Sequence, residues 1–191
     1  MGKLKLGVVT YMDKTKDVYV QFEKIAKAGF ETCQLHCWDE SLLYNQYAEL
    51  IKEGARRAGV EITAFWCGWQ GPAIWNFTEG PITLGLVPEA YRLYRLQTLM
   101  KGSDFAKAVG VSKLATHVGF IPENPNDPNY PGLISALKHI AQYCKNNGQY
   151  FLFETGQETP ITLKRAIQDV GCDNLGINLD PANLIMYGKA N

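Results

Sequence analysis

Two periodicities of apolar residues alternate along the chain, one typical of buried strands and the other of amphipathic helices. Short apolar runs are followed by longer segments with apolar residues at every third or fourth position, and most of these segments end at a glycine. The pattern predicts strands at 4–11, 32–38, 61–67, 113–117, 150–154 and 175–180, with helices at 16–28, 42–58, 89–109, 133–147 and 161–170 and a further helical start at Asn183.

The segment 68–88 interrupts this regular alternation. It follows the third predicted strand and is rich in glycine, proline and aromatic residues, with no predicted element of its own. Loops of this length inside a compact domain usually serve a binding or catalytic site. We therefore expect this loop to cover a functional site.

Strands that alternate with helices predict right-handed β/α units and an all-parallel sheet in an α/β fold. An open doubly wound sheet would be expected to carry a glycine-rich phosphate loop after its first strand, and the segment 8–17 contains none. A TIM (β/α)8-type barrel fits better, because its sites are built at the carboxyl ends of several strands. No low-complexity tract divides the chain, so residues 1–191 are predicted to form a single domain.

The last two predicted strands each end in a carboxylate, Glu154 and Asp180. Alternation places each acid on a strand face opposite the apolar side chains. If the two strands are parallel neighbours, about 4.8 Å apart, the two acids converge on one point. His117 ends the fourth strand and His36 lies near the end of the second, so both histidines are expected at the same end of the barrel.

Composition narrows the class of partner. The chain has 191 residues, and 19 basic side chains balance 19 acidic ones, which gives no electrostatic reason to expect nucleic acid or an anionic membrane as partner. The apolar stretches are too short to span a bilayer, and no small-residue cleavage site follows the first strand. Five cysteines without a CxxC pair predict reduced thiols and a cytoplasmic protein.

Four motifs together resemble the sugar phosphate isomerase/epimerase group of the xylose isomerase-like TIM barrels. They are GFETCQLHCW, ATHVGFIPE, FLFETG and GINLDPANL, at 29–38, 115–123, 151–156 and 176–184. The resemblance implies a divalent metal held by a Glu of strand five, an Asp of strand six, a His of strand seven and a Glu of strand eight. Glu154 and Asp180 match the first two positions.

The other two ligands have no counterpart, because the sequence ends after the sixth strand. We therefore expect an incomplete barrel, apparently truncated after six β/α units, that is either a truncated family member or a subunit completed by another chain. The exposed edges of strands one and six favour a homo-oligomer that covers them. Metal binding by the isolated chain is expected to be weak or absent.

The residues around the two carboxylates could support such a reaction. The metal would be Mn²⁺, Mg²⁺, Co²⁺ or Zn²⁺, and Glu154 would both bind it and act as an acid/base on a small sugar or polyol. His117 would hydrogen-bond the substrate or orient Glu154. The substrate contacts are assigned to Trp66, Trp69, His36 and Asn183, with Trp75 as a further wall of the sugar site and Asn178 as a support beside the ligands.

Several of these residues, His36 among them, also have a purely structural interpretation. Glu154 is able to cap the following helix, Asp180 precedes a proline and so suits a turn, and His117 suits a buried core position. The tryptophans are able to pack the long loop instead of a sugar.

Two further functions compete with a sugar isomerase or epimerase. One is a non-catalytic, truncated barrel that acts as an oligomerising or interaction module. The other is a metal hydrolase of the apurinic-endonuclease branch, which builds its three-zinc site from many histidines. Only three histidines occur here, and Asn183 stands where that branch would place one, so this alternative is the weakest.

Overall fold

The computed structural model describes residues 4–189 and contains one parallel sheet of six strands, in which each strand pairs with the next in sequence. This order confirms the predicted β/α units and the TIM barrel-like fold. The elements are β1 (Gly7–Tyr11), α1 (Val18–Lys27), β2 (Thr32–Cys37), α2 (Asn45–Ala58), β3 (Glu61–Cys67), α3 (Gly80–Thr83), α4 (Glu89–Val109), β4 (Lys113–Thr116), α5 (Tyr130–Asn146), β5 (Tyr150–Glu154), α6 (Pro160–Val170), β6 (Leu175–Asn178) and α7 (Pro181–Met186).

Several boundaries differ from the predicted ones, chiefly at strand ends. The fourth and sixth strands end at Thr116 and Asn178, so His117 and Asp180 lie just beyond them. The predicted helix 42–58 begins later, at Asn45, because Leu42 belongs to a separate 3-10 turn (Glu40–Leu42) that Asp39 caps. The long loop 68–88 contains the single helical turn α3.

The main core lies between the sheet and the helices, which pack side by side in chain order. On β5 the alternation is as predicted, since Phe151 and Phe153 are fully buried against the helices while Leu152 and Glu154 are half-buried on the inner face. The inner face carries a smaller apolar cluster centred on Trp66 and Ala115. The polar groups of the site therefore lie on the less filled side of the sheet.

The sheet is strongly curved. The side-chain amide of Gln34 on β2 donates a hydrogen bond of 2.9 Å to Oδ1 of Asn178 on β6. These two strands are separated by three others in the sheet, so the contact crosses the interior of the barrel. Within residues 4–189, β1 and β6 each pair on one side only.

The long loop is held against α4 by one buried cation. Arg95 is fully buried and donates hydrogen bonds to the carbonyl oxygens of Pro72, Thr83 and Gly85 at 2.7–2.8 Å, with a longer one of 3.4 Å to Gln70. Gly85 has a φ of +63°, and a Cβ there would lie 2.0 Å from the carbonyl carbon of Val118. The loop therefore depends on both a cationic anchor and a glycine.

Two composition-based expectations can be compared with the structure. The five cysteines are all free, and four of them are buried as small apolar groups. A bilayer-crossing helix would have to be both long and apolar, and no helix within residues 4–189 meets both requirements.

Candidate active site

A cavity of about 270 Å³ opens at the carboxyl ends of the strands. Aromatic side chains form most of its wall, and two carboxylates lie on it together. The lining residues are Tyr11, His36, Trp38, Trp66, Trp75, Glu154, Asp180, Asn183, Met186 and Tyr187. We refer to this cavity as the central pocket.

Glu154 ends β5 with its side chain on the inner face of the sheet. The indole N–H of Trp66 donates a hydrogen bond to its Oε2. Burial raises the pKa of Glu154 above the usual value, and the nearby negative charge of Asp180 raises it further, while Trp66 and Asn178 oppose the shift. Glu154 does not cap α6, because Thr159 accepts the hydrogen bond at that helix start. A half-buried carboxyl with a raised pKa suits the role of a general acid or base.

Asp180 follows β6 and serves two structural purposes. Its Oδ1 accepts a hydrogen bond of 3.1 Å from the backbone N–H of Asn183, which caps α7, as its position before a proline suggested. Its backbone N–H donates to Oγ1 of Thr155 at 2.7 Å, which ties the end of β6 to the loop after β5. Oδ2 has no hydrogen-bond partner within residues 4–189, so it remains available to a ligand.

The two acids suit a divalent cation. Glu154 on β5 is in register with Asn178 on β6, and Asp180 follows Asn178 by two residues. Glu154 and Asp180 both line the central pocket. No lysine or arginine of residues 4–189 lines the central pocket, so neither carboxylate has a cationic partner there. Carboxylate oxygens are ligands that Mg²⁺ and Mn²⁺ prefer. Within the same residues, no group of three His, Cys, Asp or Glu side chains is placed to hold a metal ion.

The opposite wall is a stack of rings. His36 lies parallel to Trp66 with ring centroids 5.0 Å apart, and Tyr11 meets the edge of His36 at 5.2 Å. Nε2 of His36 is 2.7 Å from Oε1 of Gln34. Burial lowers the pKa of His36 to about 4, so the imidazole is neutral at physiological pH. The wall therefore presents flat, uncharged surfaces of the kind that pack against sugar rings.

Two predicted site residues, His117 and Trp69, do not line the central pocket. His117 is 1% exposed, and the edge of Trp75 packs on its ring with centroids 4.9 Å apart. Its Nδ1 accepts a hydrogen bond from the backbone N–H of Gly119 at 3.1 Å, while Nε2 has no partner within residues 4–189. No hydrogen bond joins it to Glu154. Trp69 is also buried and packs against Trp75.

The electrostatics of His117 follow from its burial. Burial lowers its pKa to about 4. The side chain of Gln157 lies close enough to oppose this shift, although it lacks the geometry of a hydrogen bond to the ring. Because Nδ1 accepts a hydrogen bond from the backbone N–H of Gly119, the neutral ring carries its own proton on Nε2. His117 is therefore a buried donor behind Trp75.

Sequence reasoning missed several lining residues. Tyr11 and Trp38 carry a usable signal, because each is an aromatic residue at or just after a strand end. Met186 and Tyr187 carry no such signal in the sequence, since they line the cavity only because of how α7 packs beside it. The predicted residues that the structure does bring together are Glu154, Asp180, His36, Trp66 and Asn183, with Trp75 beside them.

Comparison with known proteins identifies the family of the chain. The model of the xylose isomerase-like TIM barrel family matches residues 22–191. The chain belongs to this family. Among functionally curated proteins, no sequence matches it.

Several solved structures share the fold. A xylose isomerase domain protein from Planctomyces limnophilus is 33% identical with a TM-score of 0.86, and the alignment covers 98% of this chain and 65% of that one. The 3-keto-D-glucoside 4-epimerase of E. coli is 16% identical, with a TM-score of 0.69 and coverage of 97% and 72%. A xylose isomerase-like protein from Mycobacterium smegmatis in complex with magnesium is 17% identical, with a TM-score of 0.64 and coverage of 87% and 57%. The chain thus spans about two thirds of the length of these proteins.

Proposed function

We propose that the chain carries part of the active centre of a sugar or polyol isomerase or epimerase that uses a divalent metal and carboxylate acid/base chemistry. The observation that carries this proposal is the meeting of Glu154 and Asp180 in one aromatic-walled pocket without a cationic side chain. A bound divalent cation would relieve their repulsion and supply Lewis-acid stabilisation of charge on substrate oxygens. Membership of the family supports the reaction class. Because the chain spans about two thirds of the length of the solved proteins, the complete activity is part of the proposal.

The residues of the pocket would orient the carboxylates, bind the metal and contact the substrate. Trp66 holds one oxygen of Glu154, so that the other oxygen can receive or return a proton at a substrate carbon. Asp180 keeps one oxygen on the helix cap and offers Oδ2 to the metal. Asn183 donates its side-chain N–H to the carbonyl oxygen of Thr155 at 3.1 Å, which leaves its own oxygen for a substrate hydroxyl. His36 and Trp66 exclude water from one face of the ring.

The pocket favours an uncharged substrate. Two carboxylates and no lysine or arginine of residues 4–189 line it, so a phosphate group would be repelled there. We infer an unphosphorylated sugar or polyol. The same absence of positive charge disfavours the apurinic-endonuclease alternative, which needs a surface for the phosphate backbone. The five free thiols support the predicted cytoplasmic location.

Metal binding provides the direct test. Mn²⁺ is titrated into the 191-residue chain by calorimetry, together with Glu154→Gln and Asp180→Asn, of which the second keeps a capping side chain and removes only the charge. Asp17→Asn is the matched control, because Asp17 caps α1 through Val20 in the same way at 3.0 Å. We expect weak binding that falls at least about tenfold in the two site variants and not in the control. Tight one-to-one binding that survives both site variants would reject the assignment.

Catalysis is tested separately. If a carbon-bound proton is removed and returned in D₂O, deuterium enters the substrate. Free and phosphorylated ketoses are therefore incubated in D₂O with Mn²⁺ and the chain, and NMR measures the deuterium incorporated. We expect incorporation into a free ketose, lost in Glu154→Gln. Incorporation that persists in this variant would remove Glu154 from the acid/base role.

A second candidate, an oligomerising module, is favoured by the free sheet edges. Beside β6 an apolar groove of about 460 Å³ leaves Ile177 and Leu179 exposed by 50% and 65%. Soluble proteins rarely leave such edges uncovered. We propose a homo-oligomer in which the edges of β1 and β6 are covered. A monodisperse monomer in light scattering at micromolar concentration would contradict it.

A further inference from the structure

A line of polar side chains crosses the interior of the barrel from β2 to β6 and on to β5. It begins with His36 and Gln34 on β2, where Nε2 of His36 is 2.7 Å from Oε1 of Gln34. Gln34 donates to Oδ1 of Asn178 on β6 at 2.9 Å, and Asn178 is in register with Glu154 on β5. Side chains in register on neighbouring parallel strands lie on the same face. The amide of Asn178 therefore lies beside the carboxyl group that we assign to acid/base chemistry.

The carboxylate of Glu154 determines the direction of the hydrogen bonds along this line. An ionised carboxyl group accepts hydrogen bonds and donates none, so it favours the orientation of Asn178 in which Nδ2 faces it. In this orientation Asn178 opposes the rise in the pKa of Glu154 that burial causes. Oδ1 of Asn178 is then the acceptor for Gln34, and Oε1 of Gln34 is left to accept from His36. The imidazole of His36 therefore carries its proton on Nε2.

The other ring nitrogen of His36, Nδ1, is open to the central pocket. It forms no hydrogen bond within residues 4–189, and it is not among the enclosed polar atoms that lack a partner, as Nε2 of His117 is. His36 lines the central pocket, so a ligand there is able to reach this nitrogen. Burial of the ring lowers the pKa of His36 to about 4, so Nδ1 keeps its lone pair at neutral pH. With the proton on Nε2, Nδ1 is a hydrogen-bond acceptor.

An acceptor of this kind suits a hydroxyl group of the ligand. Glu154 and Asp180 are assigned to proton transfer and to the metal, so Nδ1 of His36 is an acceptor on the pocket wall that neither task occupies. A neutral imidazole also adds no positive charge that would repel a cation. An ether or a C–H group at the same place would exclude water and leave Nδ1 without a partner, which costs free energy. This nitrogen therefore distinguishes a free hydroxyl group from a blocked or missing one.

We propose that Gln34 is a positioning residue for the central pocket. Its Oε1 holds His36 in the tautomer with the proton on Nε2, and Nδ1 of His36 accepts a hydrogen bond from a hydroxyl group of the bound sugar or polyol. The contact with the ligand rests on the proposed function, whereas the tautomer is a property of the chain without ligand. The two parts are therefore measured separately.

The tautomer is measured by long-range ¹H–¹⁵N correlation NMR of the ¹⁵N-labelled 191-residue chain at neutral pH, without metal or sugar. We expect His36 in the wild type to be protonated on Nε2 and not on Nδ1. In Gln34→Met, which keeps the side-chain length and removes the acceptor, the preference for this tautomer should fall by about fivefold or more. Gln142→Met, at an exposed glutamine of α5, is the matched control, and the exposed His139 is a reference in each spectrum. A proton on Nδ1 of His36 in the wild type, or an unchanged tautomer in Gln34→Met, would overturn the proposal.

The contact with the ligand is measured with the free ketose D-fructose as the probe, in the presence of the diamagnetic ion Mg²⁺. We expect the Nδ1 resonance of His36 to shift as the sugar is added, and the affinity to fall by about fivefold in Gln34→Met and not in Gln142→Met. If other resonances of the central pocket shift while Nδ1 does not, the contact alone is rejected. If no resonance of the central pocket shifts, the proposed sugar site is rejected together with the contact. The wild-type measurements need no variant to fold, and the spectrum of Gln34→Met reports its own fold.

Discussion

The indole N–H of Trp66 on β3 donates to the carboxylate of Glu154 on β5, across the strand that separates them. The β4 residue in register with Trp66 is Ala115, which pairs on its other side with Leu152, two residues before Glu154 on the same face of β5. A small side chain at this position leaves the inner face open for the indole. The acid/base candidate is thus positioned by a residue two strands away.

Removing this donor should change the acidity of Glu154. In Trp66→Phe the ring is kept but the hydrogen bond that favours the carboxylate is lost, while burial and the charge of Asp180 continue to raise the pKa. We expect the pKa of Glu154 to rise further, measured by ¹³C NMR of the side-chain carboxyl. Trp75→Phe, on the same pocket without a bond to Glu154, is the control. An unchanged or lower pKa would contradict the described contact.

The contact between Gly156 and His117 should be sensitive to one methyl group. A Cβ at residue 156 would lie 2.2 Å from Nε2 of His117, whose ring is buried and unable to move aside. We expect Gly156→Ala to destabilise the chain by about 1–3 kcal/mol in urea unfolding. The same substitution in a His117→Ala background should cost clearly less, because the ring is gone. Equal costs in both backgrounds would show that the clash is not with the imidazole.

Glu158 should make the chain less stable as the pH rises. Burial raises its pKa to about 7, so the folded form keeps a proton that the unfolded form has lost at about 4.5. The contribution is present at low pH and lost as the pH rises through 7, with a size of roughly 3 kcal/mol. Glu158→Gln, which resembles the protonated acid, should exceed the wild type in stability at about pH 8 and match it near pH 4. Glu49→Gln on α2 is an exposed control.

His117 should act in the opposite direction. Its pKa of about 4 lies below the ordinary value of 6.5. Between these two pH values the imidazole is protonated in the unfolded chain and neutral in the folded chain. Stability is therefore lost as the pH falls from about 6.5 to about 4, by roughly 3 kcal/mol. His117→Asn should reduce this acid sensitivity, while His139→Asn, at an exposed position of α5, should leave it unchanged. Unfolding curves at several pH values separate the two cases, and full acid sensitivity in His117→Asn would contradict the assignment.

Arg95 should control the order of the long loop. Within residues 4–189 its guanidinium forms hydrogen bonds only to loop carbonyl oxygens, and burial lowers its pKa to about 10, so it stays charged at neutral pH. Lysine offers one compact donor in place of a planar fork. We expect Arg95→Lys to accelerate proteolytic cleavage within 68–88 and to lower the free energy of unfolding by about 2 kcal/mol or more. Arg56→Lys on the exposed face of α2 is the control, and equal cleavage rates would exclude an anchoring role.

Local sequence signals determine most of this fold. The bounds of β3, α4 and β5 match their predictions residue for residue, because each begins or ends at a strong local feature such as the glycine after α4. Predicted bounds were wrong where the alternation of side chains continues past the last backbone pairing, as at His117 and Asp180. Strand pairing depends on the neighbouring strand, which a single segment does not encode.

The candidate site was predictable only in part. The convergence of Glu154 and Asp180 follows from two strand ends and parallel pairing, and the structure places both on one pocket. The burial of His117 and Trp69 behind Trp75 does not follow, because it depends on how Arg95 fixes a loop of 21 residues. Contacts of this kind join residues far apart in sequence, where apolar periodicity carries no information.

The hydrogen bond between Gln34 and Asn178 has a mechanical consequence for assembly. It links β2 to β6 across the interior, so within residues 4–189 it restrains the curvature of the sheet. If a segment or subunit pairs with the edges of β1 and β6, as we propose, a sheet whose curvature is already restrained loses less conformational entropy when the partner binds. We therefore expect Gln34→Ala to weaken this association.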